Sequence, residues 1–367
     1  MARAQRTPLQ IERVRSALLQ WYEANRRDLP WRQTSDPYAI WVSEIMLQQT
    51  RVAVVIERYK AFLGRFPNLI TLATAKEQDV LALWSGLGYY RRARMLHKAA
   101  QSVAATSDGC LPNTARELLV LPGIGSYTAA AIASIAHGER IAVVDGNVER
   151  VLSRLQGWHA PTQAESATLR RKVETLADRL VDPNHPGDFN QALMELGATV
   201  CLPRNPQCLV CPLAAHCHTL GEHRTPPRAR MVSREVASAL AVRATTGQRG
   251  VADEVLLEQR PASNSVMADM WQLPVLRQVV FPAEDLRMTV RHAIMQVNYV
   301  VRVRSVVESE IDGLTEGGGF RRWVPLDEAA KMALTGLTRK ILSRAHLIPS
   351  ARPATALVRI VAASAEK

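Results

Sequence analysis

Four of the five cysteines of this sequence lie close together. Cys201, Cys208, Cys211 and Cys217 follow the spacing C-x6-C-x2-C-x5-C, whereas Cys110 stands alone. Thiolates in such a tight set can fill four coordination positions on a zinc ion or on an iron–sulfur cubane. A disulfide framework would instead spread pairs of cysteines along a short secreted chain. The spacing therefore predicts metal ligation and leaves zinc and iron both open.

Two acidic residues occupy contrasting sequence environments. Glu44 lies in the segment 41–50, among Trp41, Ile45 and other apolar side chains. Apolar surroundings favour the neutral form of a carboxyl group, which suits a proton donor, although a solvated glutamate on an amphipathic helix is the more ordinary interpretation. Asp145 precedes a helical pattern and is therefore also a candidate helix N-cap. Two carboxylates in unlike surroundings are what cleavage of a glycosidic bond requires.

A turn with two glycines, Leu121-Pro122-Gly123-Ile124-Gly125, separates two helical patterns. Gly123 and Gly125 permit a tight turn and the close approach of another molecule to the backbone. The helix that follows points its free N–H groups outward, an arrangement that suits a DNA phosphate. An ordinary loop between two helices is the alternative for this motif taken by itself.

The charge of the chain favours an anionic partner. Its 367 residues carry a formal net charge of +12, with a sequence pI of about 9.9. Nucleic acid is the commonest partner of such a protein. The longest apolar runs are too short to span a bilayer, and no apolar signal core precedes the first helical pattern. We therefore expect a cytoplasmic, nucleoid-associated protein without a membrane segment.

The elements that must position these residues fall into two regions. Residues 9–218 show one helical pattern after another, including patterns at 41–52 and 115–121. Residues 219–232 contain adjacent prolines and several arginines and are predicted to form a linker. From 233 to 348 the patterns predict a smaller α+β domain, with strands at 235–243, 254–260 and 297–304 and a helix at 327–346. The tail, 349–367, receives no assignment.

Together these features resemble the MutY family of adenine-DNA glycosylases, within the helix-hairpin-helix glycosylase superfamily that also contains endonuclease III. The resemblance runs without a gap over about residues 21–217 and continues more weakly to about residue 347. Besides the hairpin and the cysteines, the stretches that carry it are LPWR (29–32), WVSEIMLQQT (41–50), GLGYY (86–90), VDGNV (144–148) and FNQALMELG (189–197). So many matches in order are specific, and they favour the chemical interpretation of Glu44 and Asp145.

The resemblance implies a cofactor and a division of catalytic roles. The four cysteines of the loop 201–217 are expected to hold a [4Fe-4S] cluster, and the hairpin to grip DNA with a monovalent cation on its backbone carbonyls. Glu44 is implied to be the general acid, while Asp145 stabilises the oxocarbenium-like sugar or bonds to it briefly. Asn147 and Tyr127 are then expected to orient Asp145 and the attacking water.

Further residues are assigned to the substrate by the same resemblance. Gln49 and Tyr89 are expected to push into the duplex as the adenine leaves the stack. Arg27 and Glu195 match family positions near the adenine. The remaining expected contacts, on the pocket wall or on DNA, are Trp31, Arg32, Leu47, Gly123 and Gly125.

The region 233–348 resembles the Nudix-like domain with which this family reads 8-oxoguanine on the opposite strand. The stretches 256–261 and 271–274 carry this resemblance, and no Nudix hydrolase signature of closely spaced glutamates is present. The family often has Phe-Ser-His on the strand that contacts 8-oxoguanine, where this sequence has Ile294-Met295-Gln296. Gln296 is the residue expected to contact the base.

Two alternatives compete with this prediction. Endonuclease III also nicks the strand, with a lysine of the second hairpin helix as amine nucleophile. This sequence has Tyr127 at that place and no lysine between Lys98 and Lys172. A non-catalytic iron–sulfur DNA sensor would not need both Glu44 and Asp145. We therefore predict a monomeric, monofunctional base excision repair glycosylase that removes adenine paired with 8-oxoguanine or guanine in double-stranded DNA.

Overall fold

The computed structural model describes residues 10–107, 109–158, 165–223, 231–247, 250–264, 266–294, 296–316 and 319–349. They form two compact units, one within Met1–Val80 and Tyr89–Arg228 and the other within Leu81–Gly88 and Ala229–Lys367. Residues 350–367 of the predicted tail and 224–230 of the predicted linker lie outside the described ranges. Across the described part of the chain, no helix has the length and apolar character of a membrane span.

The N-terminal part of the chain is helical, as predicted. Its helices are α1 (Ile11–Asn25), α2 (Pro37–Leu47), α3 (Val52–Arg65), α4 (Leu69–Ala73), α5 (Glu77–Leu83), α6 (Arg91–Thr106), α7 (Ala115–Leu118), α8 (Ser126–His137), α9 (Gly146–Leu155), α10 (Ser166–Leu180) and α11 (Pro186–Thr199). Apolar faces of α1, α9, α10 and α11 form one core, in which Leu18, Leu152 and Phe189 are fully buried. The cysteine loop follows α11 and contains two short 3₁₀ turns, Cys208–Val210 and Ala214–His216.

Helix α2 lies at the centre of the helical unit. Its residues from Tyr38 to Met46 are all buried, and it packs against α3 and α8. The Asp36 side chain caps its N-terminus by accepting a hydrogen bond from the backbone N–H of Tyr38 at 3.0 Å. The helix ends at Leu47, and Gln49 adopts a positive φ of 57° before α3 begins. The prediction of a helical pattern across 41–52 was therefore wrong at this turn, and the pattern at 115–121 stops early, at Leu118.

The C-terminal part contains two small sheets and three short helices. Its elements are β1 (Val232–Leu240), β2 (Val242–Gly247), β3 (Gly250–Gln259), β4 (Trp271–Gln272), β5 (Leu286–Ile294), β6 (Val297–Ser305), α12 (Ile311–Leu314), β7 (Phe320–Pro325), α13 (Leu326–Ala329) and α14 (Gly336–Arg344). One sheet has the order β1-β6-β5, with β1 and β6 parallel; in the other, β3 pairs with β2, β4 and β7. Val301 and Val303 of β6 are fully buried, as the predicted alternation requires.

The predicted fold class, a helical region followed by a smaller α+β region, is confirmed. Two predicted elements were wrong in detail. The strand at 235–243 is split at Ala241, so that β1 and β2 join different sheets. The helix at 327–346 is divided into α13 and α14, because the Thr335 side chain caps a new helix by accepting from the backbone N–H of Thr338.

Candidate active site

A cavity of about 610 Å³ gathers most of the predicted site residues in the helical unit. Its wall is formed by the 27–32 segment, the end of α2, the start of α8, the start of α9 and one face of α11. The predicted residues that line it are Arg27, Trp31, Arg32, Glu44, Leu47, Gln49, Tyr127, Asp145, Asn147 and Glu195. These side chains come from five separate segments, so only the tertiary fold brings them to one place.

Glu44 is the carboxyl group that helix α2 contributes to this wall. It is 6% exposed and sits on the buried helix α2. The Tyr127 hydroxyl donates a hydrogen bond to its Oε2 atom at 2.7 Å. Burial raises the pKa of Glu44 to about 7, against the opposing effect of the Tyr127 hydrogen bond. A substantial fraction of this carboxyl is therefore protonated near neutral pH and able to donate a proton.

Tyr127 extends from the first turn of α8 toward Glu44. Its hydroxyl also lies 3.4 Å from the Met194 sulfur. Burial, and then the charge of Glu44, raises the pKa of Tyr127 well above its ordinary value, so the phenol stays neutral. The observed hydrogen-bond partner of Tyr127 is Glu44. That Tyr127 also orients Asp145 and the attacking water stays a prediction.

Asp145 is both a helix N-cap and a wall residue of the cavity. Its Oδ1 atom accepts the backbone N–H groups of Asn147 and Val148 at 2.9 and 2.7 Å. The Asn147 side-chain amide donates to Oδ2 at 2.8 Å, the contact expected of a residue that orients Asp145. Three hydrogen bonds and the positive end of α9 stabilise the negative charge of this carboxylate.

The segment that leads into Asp145 is held by Asn190 of α11, which the sequence identified only as part of a matching stretch. Asn190 is 1% exposed. Its amide accepts from the backbone N–H of Val143 at 3.1 Å and donates to the Ile141 carbonyl at 2.9 Å. Asn190 therefore satisfies the backbone next to Asp145, where the segment forms no sheet. No helical or strand pattern would have revealed this contact.

Gly197 shows a second requirement of the same helix. A Cβ atom at this position would lie 2.6 Å from the Cβ atom of Asn147. Only glycine allows α11 to approach the start of α9 this closely. Arg150 of α9 strengthens the same junction, since it donates to the Asn147 side-chain oxygen at 2.9 Å and to the Gly197 carbonyl at 2.7 Å.

Glu195 forms the opposite, strongly charged corner of the cavity. Arg27 donates to both of its carboxylate oxygens at 2.7 Å, and Arg32 donates to Oε2 at 2.8 Å. Burial alone would raise the pKa of Glu195, but the hydrogen bonds from Arg27 and Arg32 outweigh it and lower the pKa to about 2. The three predicted residues thus form one ion-pair cluster that stays charged. Trp31 is buried nearby and packs edge-on against Tyr59.

The four cysteines of the loop 201–217 line one cavity. Among the described residues, no three Cys, His, Asp or Glu side chains are placed to share a single metal ion. Arg154 is 3% exposed and lies 3.4 Å from the Cys201 sulfur, so a positive charge faces the cysteine side chains.

A second cavity, of about 400 Å³, is lined by Gly123 of the hairpin and by two exposed residues, Gln49 and Tyr89. Gly123 has a φ of 77°, and a Cβ atom there would collide with the Met95 side chain. Gly125 precedes α8 and faces open space, so nothing within the described chain requires a glycine there. Gln49 and Tyr89 line the same cavity with positive φ angles of 57° and 47°.

Gln296 belongs to the second unit. It is exposed in the turn between β5 and β6, and its backbone carbonyl accepts a hydrogen bond from the N–H of Val232 at 3.0 Å. The expectation that it lies on a strand was therefore wrong, since β5 ends at Ile294 and β6 begins at Val297. Met295 lies outside the described residues.

The helical region is similar to known base excision DNA repair proteins. The model of the HhH-GPD superfamily of base excision DNA repair proteins matches residues 42–175. A solved thermostable thymine-DNA glycosylase is similar in structure, with a TM-score of 0.51 and 29% sequence identity, over 57% of this chain and 96% of that chain.

Curated adenine DNA glycosylases are similar in sequence. The protein of Homo sapiens is 39% identical over 341 residues, covering 78% of this chain and 61% of that protein. The protein of Mus musculus is 50% identical over 217 residues, covering 56% of this chain and 42% of that protein. The sequence similarity to adenine DNA glycosylases thus extends over 78% of this chain in the human comparison and 56% in the mouse comparison. The chain spans about three fifths of the length of the human relative and about two fifths of the mouse relative.

Proposed function

We propose that this protein hydrolyses the N-glycosidic bond of adenine in mismatched double-stranded DNA, as a base excision repair enzyme. One observation carries the proposal: a buried, protonatable Glu44 and a hydrogen-bonded Asp145 carboxylate line the same cavity. Cleavage of a glycosidic bond uses such a pair, one group as acid and the other against the developing positive charge of the sugar. The names of the curated relatives support adenine as the base.

The first step transfers a proton and breaks the bond. Neutral adenine is a poor leaving group, so the Glu44 proton passes to a ring nitrogen, N7 by the family resemblance. The bond between the sugar carbon and the base then breaks, and its electron pair leaves with the adenine. Asp145 stabilises the positive charge that develops on the sugar, or bonds to it for a short time. Access to the pocket requires the adenine to leave the duplex stack.

The second step adds water. The Glu44 carboxylate accepts a proton from the incoming water, whose oxygen bonds to the sugar carbon and leaves an abasic site. Tyr127 holds Glu44 through the cycle, and Asn147 holds Asp145. The residues Arg27, Arg32 and Glu195 form a fixed polar wall against which the base is placed.

A single-turnover assay tests the proposal. We expect the protein to release adenine from duplexes with adenine opposite 8-oxoguanine or guanine, and much less from a thymine–adenine pair. Asp145→Asn keeps a good helix cap, so it should fold and bind DNA but lose excision because the charge on the sugar is no longer opposed. Release of thymine from a thymine–guanine mismatch, without release of adenine, would overturn the proposal.

We propose that the enzyme does not cut the DNA strand. Tyr127 stands where a lyase would carry its lysine, and a phenol cannot form a Schiff base. The product duplex should stay intact until it is treated with hot alkali, and borohydride should trap no covalent adduct. Efficient trapping would show that a lysine elsewhere acts as the nucleophile.

We propose that Gln296 contacts 8-oxoguanine on the opposite strand. Its side chain is exposed at a hairpin tip, which suits contact with another molecule. In the full-length protein, Gln296→Ala should weaken excision opposite 8-oxoguanine by about 1–3 kcal/mol, the scale of one base-edge contact. Excision opposite guanine should change less. Equal losses on both substrates would assign Gln296 to general DNA affinity.

We propose that the four cysteines hold a [4Fe-4S] cluster, which would order the loop that follows α11. Protein purified without oxygen should be brown, with broad absorption at about 400 nm. One zinc and no iron per chain would refute this.

The remaining proposals are a monovalent cation at the Gly123 hairpin, a monomer in solution and a cytoplasmic, nucleoid-associated location.

A further inference from the structure

Arg92, near the start of α6, is bound to the end of α2 by an unusual number of contacts. Its Nη1 atom donates to the carbonyls of Ile45 at 2.6 Å, Met46 at 3.1 Å and Gln48 at 2.5 Å. Its Nη2 atom donates to the Thr50 hydroxyl at 3.2 Å. The last carbonyls of a helix have no partner within the helix, so Arg92 closes the end of α2 from another helix. Its positive charge also faces the negative end of that helix.

The same guanidinium contacts a second segment. Its central carbon lies 5.7 Å from the centre of the Tyr89 ring, within the range of a cation–π contact. Tyr89 is 51% exposed, although it is large and apolar, and its φ is 47°. Burial lowers the pKa of Arg92 to about 10, so the side chain keeps its charge at neutral pH.

Each of the two segments that Arg92 contacts contains an exposed residue with a strained backbone, Gln49 in one and Tyr89 in the other. Gln49 lies between the Gln48 carbonyl and the Thr50 hydroxyl that Arg92 binds, and it has a φ of 57°. A positive φ is costly for residues other than glycine and persists when the surrounding structure enforces it. Gln49 and Tyr89 are both exposed, have a strained backbone and line one cavity, and the half-buried Arg92 contacts both segments. This arrangement indicates a prearranged pair of tips rather than two independent loops.

We propose that Arg92 is the positioning residue that holds Gln49 and Tyr89 together, so that both enter the duplex as the adenine leaves it. This inference rests on the proposed function. Arg92 does not touch the reacting atoms; it lowers the cost of extrusion because the two tips are ordered before DNA binds. A lysine cannot replace it, since one ammonium group lacks the planar fork that reaches several acceptors at once.

The test compares Arg92→Gln and Arg92→Lys with Arg94→Gln. Arg94 lies on the same helix and pairs with the exposed Glu77 at 2.9 Å, so the control removes the same charge with little effect on structure. Single-turnover excision of adenine opposite guanine should fall about 10- to 100-fold in both Arg92 variants, the loss expected from hydrogen bonds to a charged group. Arg94→Gln should stay within about threefold of the parent, since an exposed pair contributes little.

A second substrate separates extrusion from chemistry. Adenine opposite an abasic site is already unpaired, so leaving the stack costs less. The defect of Arg92→Gln should shrink to about threefold or less on this substrate, because the remaining steps are intact. Its pH dependence, which reports Glu44, should match that of the parent. An equal loss on both substrates, or a shifted pH profile, would overturn the proposal and assign Arg92 to the chemical site.

Amide hydrogen exchange gives a readout that does not depend on activity. Exchange of residues 45–50 should accelerate in Arg92→Gln and not in Arg94→Gln, because the end of α2 loses its partner. If the parent protein released no adenine, the proposed function would fail. The exchange measurement would still decide whether Arg92 holds the segment 45–50 in place. Unchanged exchange in residues 45–50 would reject that role.

Discussion

Glu44 and Glu195 line the same cavity from helices α2 and α11, and both side chains are buried, at 6% and 1% exposure. Their surroundings differ. Glu44 has apolar neighbours and one neutral hydrogen-bond donor, the Tyr127 hydroxyl. Glu195 has two arginines, which donate to both of its oxygens. The pKa of Glu44 is raised to about 7, whereas that of Glu195 is lowered to about 2.

The comparison separates burial from charge compensation. Burial penalises the ionised form of both carboxyl groups, and only Glu195 has partners that outweigh this penalty. One residue type therefore supplies a proton donor on one wall and a permanent anion on the other. For the proposed reaction, this places the mobile proton at Glu44 and leaves Glu195 to hold Arg27 and Arg32.

The largest effect is expected from Glu44→Gln. The amide keeps the shape of the side chain and an oxygen for the Tyr127 hydroxyl, but it cannot donate a proton to adenine. Single-turnover excision should fall by about 10²- to 10⁴-fold, the usual contribution of a general acid. Affinity for the mismatched duplex, measured by filter binding, should change little. A variant with near-parental excision would remove Glu44 from the mechanism.

Glu195→Ala should cause the largest loss of stability. It leaves Arg32, which is 10% exposed, and Arg27 without their anion. The expected loss is about 3–5 kcal/mol, the scale for breaking a buried pair from one side. The exposed pair of Arg170 and Glu174 provides a control, since Glu174→Ala should cost less than about 1 kcal/mol. Urea denaturation of both variants measures the difference in the free energy of unfolding. Equal losses of stability would contradict a stabilising role of the Glu195 ion pairs.

The excision rate should depend on pH in the way that a proton donor requires. The protonated fraction of Glu44 falls as the pH rises through its pKa of about 7. The single-turnover rate should therefore be nearly constant below that pH and fall about tenfold for each pH unit above it. Glu195, with a pKa of about 2, should add no transition in this range. A rate that rises with pH from 7 to 9 would point to a base instead.

The smallest effect concerns the stability of Glu44→Gln. The folded-state pKa of Glu44 lies above its ordinary value of 4.5, so the folded protein loses stability as the pH rises from about 4.5 to 7. Removing the carboxyl should stabilise the protein by about 1–3 kcal/mol at pH 8 and have little effect at pH 4. Denaturation curves at the two pH values give this difference. A variant that is less stable at pH 8 would show that the Tyr127 hydrogen bond outweighs burial.

Some contacts in the pocket were foreseeable from the sequence, because they are local. Asp145 was a candidate N-cap, and its carboxylate does accept the N–H groups of Asn147 and Val148, the second and third residues of α9. A cap depends on residues within one turn, which lie together in the sequence. The bond between Tyr127 and Glu44 was not foreseeable, for the opposite reason: the hydroxyl donates to a carboxyl group 83 residues away. Neither spacing nor composition fixes such a distance.

The positioning residues were the least visible in the sequence. Asn190 and Arg92 act on backbone groups of distant segments, and any segment of the chain offers the same N–H and carbonyl groups. The sequence of the contacted segment therefore does not indicate which distant side chain will bind its backbone. Gln49 and Tyr89 were expected at the duplex by resemblance, but the positive φ angles that both adopt became apparent only in the fold.

The sequence by itself determined the helical character of the N-terminal region, the α+β character of the C-terminal region and the resemblance to a glycosylase family, since periodicity and ordered motifs are properties of neighbouring residues. It also supplied both carboxyl groups and the four clustered cysteines. Only the tertiary structure decided which carboxyl keeps its proton. The reason is that desolvation depends on everything packed around a group, and an ion pair depends on where distant chain segments meet. Glu44 and Glu195 are the same residue in the sequence, and the fold made one an acid and the other an anion.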